Sequence, residues 1–267
     1  MQRETVGRTL LVAFVLCVVC SVLVSSAAVG LRPIQEENRE VERMRNILVV
    51  AGLYEEGTPV RDTFDELVEA RLVDLETGEY VSGGELDPLT FSARDATKDH
   101  QLSVSIDPED DLGGIKRRSK YEVVYLVNKA DGSLDQVVLP ISGKGLWSTL
   151  YGFLAIDSDM RTIRGITFYE HAETPGLGGE IDNPNWKAQW PGKQAFDEEW
   201  NVAIEVVKGP IVERDPEATF WIDALSGATI TSRGVTNLLR YWLGPNALGP
   251  YFENMRQELQ IAGDTNG

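Results

Sequence analysis

A chain of 267 residues with 42% hydrophobic side chains can bury a substantial core, which argues against wholesale disorder. A formal net charge of −17 argues against nucleic-acid binding and describes an acidic, solvated exterior. Both cysteines, Cys17 and Cys20, lie in the N-terminal apolar stretch. Residues 32–267 therefore hold no disulfide framework and no thiolate-ligated zinc or iron–sulfur site.

Taken in order, Thr9 to Val29 is uncharged throughout and long enough to cross a bilayer core. Ser26-Ala27-Ala28 would suit a signal cleavage site, but a signal core runs to about 7–15 apolar residues, so the length favours a retained anchor. Its orientation stays open on charge alone. Arg3 and Arg8 precede the span, and Arg32, Arg39, Arg43 and Arg45 follow it closely. Cys17 and Cys20 share one helix face, either as packing residues or as ligands toward a neighbouring protein of a complex.

After the anchor, Pro33 and the run Glu36 to Leu53 read as a helix, with Val41, Met44 and Leu48 on one face. Thr58-Pro59 reads as a cap followed by proline at the first position of a second helix. Its apolar stripe is Val60, Phe64, Leu67 and Val68. Thr77 to Gly114 is rich in Gly, Asp and Ser and reads as loops with short strands. Asp107, Glu109 and Asp111 open like a calcium loop, but Leu112 stands where that loop needs Gly and Arg118 where it needs Glu. Lys116 to Lys120 is then a solvated basic island.

From Tyr121 the texture is that of strands. Tyr121–Val127 and Gln136–Ile141 flank the hairpin signal Asp131-Gly132, and Gly152–Ile156 and Thr162–Tyr169 flank Asp157-Ser158-Asp159. Val202–Val207 is a further β-branched run. Hairpins with helices at both ends give an α+β domain with an antiparallel sheet and flanking helices.

Four stretches carry candidate chemistry. Gly143-Lys144-Gly145-Leu146-Trp147-Ser148 lacks P-loop spacing, and Trp147 reads either as a core residue or as a flat face for an aromatic ring. The turn from His171 through Glu173, Thr174, Pro175, Gly176 and Leu177 to Glu180 leaves backbone groups open to a polar ring edge. With His100 the only other histidine, the stretch lacks the third nitrogen or sulfur ligand that a catalytic metal centre needs. Asn183 to Lys193 is followed by Val206-Val207-Lys208-Gly209, in which Lys208 ends a strand and reads as a surface lysine or as positive charge near an anionic group. Finally, Asp223-Ala224-Leu225-Ser226-Gly227-Ala228-Thr229-Ile230-Thr231-Ser232 precedes Val235, Leu238, Leu239 and Trp242, whose spacing starts an amphipathic helix near Ser232. Small residues before a helix start suit a phosphate, and they equally suit a plain helix cap.

In this order, these stretches resemble the C subunit of the sodium-translocating NADH:quinone reductase, across the anchor and most of residues 120–252. The related G subunit of the Rnf complex shares two of the elements but is shorter between anchor and flavin domain. The resemblance implies FMN joined by a phosphodiester to the last threonine of D-x-x-S-G-A-T-x-T, here Thr231. Asp223, Ser226, Gly227, Ala228 and Thr229 complete that pattern, and the ring is expected beside Trp147, Glu173, Thr174, Gly176, Leu177 and Lys208. It also implies an inner-membrane protein with residues 1–8 cytoplasmic, 9–31 spanning, and the rest periplasmic. The periplasmic part divides into a membrane-proximal region 32–120, a flavin domain 121–252 and a tail 253–267. Its partners would be the other membrane subunits of a hetero-oligomeric complex, with a separate flavin transferase for loading. The span has no carboxylate for sodium, so ion movement would belong to other subunits. The rival reading is an anchored binding or scaffold module whose loop holds a phosphate without redox work.

Overall fold

The computed structural model describes residues 6–83, 86–209, 211 and 215–265. The chain divides into two units, Met1–Met44 and Arg45–Gly267. Helix α1 (Val6–Val50) runs through both the anchor and the charged segment after it, with Pro33 inside. Good helix formers on both sides carry the helix past one lost backbone bond. The apolar part has a mean hydropathy of 2.7, and none of it is buried within the chain. The helix stops at Val50, short of Leu53. Gly52 adopts φ +71°, and Gly52 N–H and Leu53 N–H bond back to Val49 and Leu48 carbonyls, a glycine-dependent Schellman stop.

Helix α2 (Val60–Leu67) begins one residue later than its Thr-Pro signal suggests. Pro59 is the cap, and the Thr58 hydroxyl instead accepts from Glu55 N–H at 2.9 Å. Val68, the last member of the helical stripe, opens a strand, β1 (Val68–Asp74), that the periodicity conceals. β1 exists because of distant pairing with β4 (Tyr121–Asn128), in register from Val68↔Val127 to Asp74↔Tyr121. Residues before position 120 therefore form an edge of the main sheet. Between them lie the short helix α3 (Ala93–Ala96), capped by Ser92, and the pair β2 (Ser103–Ser105) and β3 (Arg117–Ser119). Asp111, the failed calcium ligand, accepts instead from Ile115 and Lys116 N–H groups.

β5 (Leu134–Lys144), β6 (Thr149–Asp157) and β7 (Ile163–Glu170) complete a five-stranded antiparallel sheet in the order β1-β4-β5-β6-β7. The β4–β5 turn uses Gly132 at φ +82° and an Asp131 carboxylate that accepts from Ser133 N–H at 2.9 Å. After β7 come a 3-10 turn (Gly178–Asp182) and helix α4 (Pro184–Lys187), started by the Asn183 side chain. The run Val202–Val207 yields only a three-residue strand, β8 (Glu205–Val207), which pairs in parallel with β9 (Trp221–Asp223). Helices α5 (Thr229–Trp242) and α6 (Gly249–Thr265) follow.

One face of the sheet, with Val137, Leu139, Ile141, Leu154 and Ile156, joins Val235, Leu238, Leu239 and Trp242 of α5 in the main core. The helix lies so close to β5 that a side chain at Gly143 would overlap Leu238, and one at Gly234 would overlap the Lys144 carbonyl. The Trp242 indole N–H donates to Ser142 O at 2.6 Å and locks this contact. The opposite face carries an edge-to-face chain, Phe64–Tyr125–Phe153. There the Gln136 amide donates to Ala51 O, which ties residues after α1 to the sheet.

Glu122 on β4 is a buried carboxyl whose oxygen accepts from Val123 N–H at 3.1 Å. Burial, only partly offset by that bond and by Arg118, raises its pKa to about 8. A carboxyl with a raised folded pKa binds its proton more tightly folded than unfolded. Stability should therefore fall as pH rises from about 4.5 to about 8. Glu122→Gln should remove that component, so the melting temperature of the variant should gain on wild type across this window and stay level above it.

Candidate flavin site

The site forms where the β5–β6 loop, the turn after β7 and the start of α5 converge on one carboxylate. Glu173 is buried, and its oxygens accept from the N–H groups of Leu146 (3.2 Å), Trp147 (2.9 Å) and Ser148 (3.3 Å). The Thr231 hydroxyl donates to the same carboxylate, Oγ1 to Oε2 at 2.6 Å. Burial pushes the Glu173 pKa up, but the Thr231 hydroxyl and the three backbone N–H groups outweigh it and hold the group below the usual carboxylate value. Glu173 is thus a charged acceptor at neutral pH.

Small residues make this packing feasible. A Cβ at Gly145 would lie 2.6 Å from Glu173 Oε1, and one at Gly178 would lie 2.5 Å from Thr231 Oγ1 and 2.7 Å from Glu173 Oε2. His171 supports the turn: its Nδ1 accepts from Glu173 N–H at 3.2 Å, while Nε2 pairs with Asp182 at 2.7 Å. This arrangement gives the histidine a structural part. Thr174 and Gly176 are exposed turn residues. The Thr174 carbonyl accepts from Leu177 and Gly179, and Gly176 N–H donates to Glu180.

Thr231 itself departs from its expected place. It lies within the first turn of α5, which begins at Thr229 rather than near Ser232, and it is 0% exposed rather than at a loop surface. Ala228, buried in the core, is the helix cap, and its carbonyl already accepts from Ser232 N–H at 3.0 Å. Ala228 supplies no side-chain cap, so N–H groups of the first turn remain available to an anion. Ser226, Gly227 and Thr229 are exposed around this start. Trp147 is 67% exposed, which rules out a core role, and Leu146, Leu177 and Ile230 are exposed on the same converging segments. Leu177 reaches to within 3.0 Å of where a Cβ on Gly227 would lie.

A cavity of 890 Å³ opens beside the loop, lined among others by Lys208, Asp223, Ser226, Thr229 and Arg233. Lys208 follows β8 and is exposed. Asp223 closes β9; its backbone N–H donates to Gln189, its carbonyl accepts from Trp186 Nε1, and its buried Oδ1 has no hydrogen-bond partner among the described residues. No cluster of three or more His, Cys, Asp or Glu suited to a metal occurs among the described residues. Nothing in the local chain signals that Glu173 and Thr231 meet, because 58 residues separate them.

Residues 145–244 match the model of the FMN-binding domain family. The chain is 47% identical over 259 residues to the C subunit of the Na(+)-translocating NADH-quinone reductase of Yersinia pestis, covering 96% of this chain and 95% of that protein. It is 46% identical to the equivalent protein of Pseudomonas aeruginosa, covering 96% and 98%. The chain belongs to this C-subunit family, NqrC. Among solved structures, NqrC of Shewanella oneidensis aligns with a TM-score of 0.76 at 36% identity, over 83% of this chain and 99% of that one. The C subunit from Parabacteroides distasonis aligns at 0.63 and 28% identity, over 83% and 96%. Family membership makes the chain one component of a larger reductase assembly, and the apolar N-terminal helix fits a membrane-anchored component.

Gly178→Ala should wedge Thr231 from Glu173 and cost about 1–3 kcal/mol. Gly176→Ala meets no neighbour within 4 Å and should cost only the strain of its φ of +76°, about 1–2 kcal/mol. Unfolding of the two variants in denaturant, with spectra reporting the Trp147 environment, should perturb the site for the first only.

Proposed function

We propose that the chain carries FMN as a phosphodiester on Thr231 and relays electrons within a sodium-translocating NADH:quinone reductase. The observation that carries this reading is the uncapped start of α5 at Ala228–Thr231, bordered by the exposed apolar residues Leu146, Trp147, Leu177 and Ile230. A phosphate fits the helix start, with Lys208 and Arg233 on the adjoining cavity. An aromatic ring system fits exposed apolar faces that a lone soluble domain would otherwise leave in water. Bound FMN supplies reversible electron transfer, and the protein tunes it through contacts and charge. In that role Trp147 and Leu177 give apolar faces, while Thr174, Gly176 and Lys208 lie where polar ring edges and negative charge would be met. The backbone around Ser226, Gly227 and Thr229 receives the phosphate, and Asp223 lines the adjoining cavity.

The same reading places the chain in the inner membrane, with residues 1–8 cytoplasmic, 9–31 spanning and the flavin-bearing part on the periplasmic side. A covalent bond there keeps the flavin from diffusing into a compartment that supplies none. Other membrane subunits of the complex deliver and accept electrons and move sodium, and a separate flavin transferase performs the loading.

Thr231→Ala should abolish flavin fluorescence that survives denaturing electrophoresis, and peptide mass analysis of wild type should find the flavin on Thr231. Flavin on Thr229 or Ser226 instead would overturn the assignment. Trp147→Ala should retain the flavin but change its reduction potential and fluorescence yield in a reductive titration. If neither moves, Trp147 does not touch the ring.

A further inference from the structure

Access alone makes Thr231 a poor choice of nucleophile. Ser226 and Thr229, in the same loop, are exposed, whereas Thr231 is 0% exposed and lies under the turn that contains Gly178. Ser232 is also buried, and its Oγ is engaged as the acceptor for Leu225 N–H at 3.1 Å. What distinguishes Thr231 is its partner: Oγ1 donates to Glu173 Oε2 at 2.6 Å. That carboxylate also accepts from Trp147 and Ser148 N–H on Oε1 and from Leu146 N–H on Oε2, so it is anchored to the sheet loop independently of the threonine. A fixed carboxylate against a hydroxyl is the arrangement that activates an oxygen nucleophile.

We propose that Glu173 selects Thr231 for modification and takes its proton when the flavin phosphate is attached. The proposal rests on the reading that Thr231 is the attachment residue. The co-reactant is a flavin dinucleotide. Thr231 Oγ1 attacks the phosphorus on the flavin side of the pyrophosphate, and the Oγ1–P bond forms. The bond from that phosphorus to the bridging oxygen breaks, and its electron pair leaves with the adenylate. The hydroxyl proton passes to Glu173 Oε2, and no atom changes oxidation state. The product phosphodiester carries one negative charge beside Glu173. Two adjacent anions repel, so the proton delivered to Glu173 removes the clash that the product would otherwise create. The neutral acid can then donate to an ester or phosphate oxygen. Because the turn at Thr174–Gly179 covers Oγ1, the transferase must displace that turn, while the bonds to residues 146–148 keep Glu173 in place.

The test uses the full chain in detergent, expressed without a transferase. Wild type, Glu173→Gln and Glu173→Asp are incubated with purified flavin transferase, flavin adenine dinucleotide and magnesium. Covalent flavin is followed by in-gel fluorescence, and its position by peptide mass analysis. Glu173→Gln keeps the shape but cannot take a proton. It should slow the maximal loading rate by about 100-fold or more while leaving half-saturation by the chain unchanged, and Glu173→Asp should recover part of the rate. Loading of a folded Glu173→Gln chain at the wild-type rate on Thr231 would sink the proposal and leave Thr231 as the attachment site. Wild-type flavin on another residue would sink the attachment reading itself. Should Glu173→Gln not fold, infrared difference spectra of isotope-labelled wild type before and after loading decide. A newly protonated Glu173 carboxyl supports the proposal, and a carboxylate that stays ionised overturns it.

Discussion

A buried charge must be matched by donors or it destabilises the fold by several kcal/mol. Glu173 is such a charge, and four donors from two distant segments match it: Leu146, Trp147 and Ser148 from the β5–β6 loop, and Thr231 from α5. Each donor is fixed in return. The carboxylate therefore fastens a hairpin loop, a glycine-rich turn and a helix start to one point. The glycines at 145 and 178 follow from this, because a Cβ at either position would collide with the carboxylate or its threonine partner.

The position of that point is set further back, by the contact of α5 with β5. Gly143 and Gly234 let helix backbone and strand backbone approach closely, and the Trp242 bond to Ser142 O holds them there. An antiparallel sheet with a helix pressed onto one face is a rigid platform, and its connecting loops are free to carry chemistry. The apolar residues Leu146, Trp147, Leu177 and Ile230 stay exposed without cost to this core, since the main cluster is filled by β-sheet residues and by Val235, Leu238, Leu239 and Trp242.

The membrane helix and the sheet domain answer to different solvents. The N-terminal part of α1 has no buried residue in its apolar window, as a lipid-facing helix requires. The second unit satisfies its backbone through strand pairing and caps, and within it Gly52 ends α1.

Local pattern by itself determined the elements whose cause is local. The uncharged run Thr9–Val29, the Asp131-Gly132 hairpin, the four strands between Tyr121 and Glu170 and the amphipathic face of α5 all follow from periodicity and turn chemistry, and each is present. Motif order likewise reached the family. Tertiary structure decided what depends on partners far along the chain. β1 escaped notice, with only its first residue Val68 read, as part of a helical stripe, because pairing with β4 makes it a strand. β8 shrank to three residues because β9 offers it no more than that to pair with. Trp147 could be read as core or surface until the loop turned it outward, and Thr231 as a loop residue until the Ser232 N–H bond to Ala228 O placed it in the first turn of α5. The bond between Glu173 and Thr231 is the clearest case: neither residue type nor spacing announces it, because hydrogen bonds across 58 residues are made by the fold and not by the local chain.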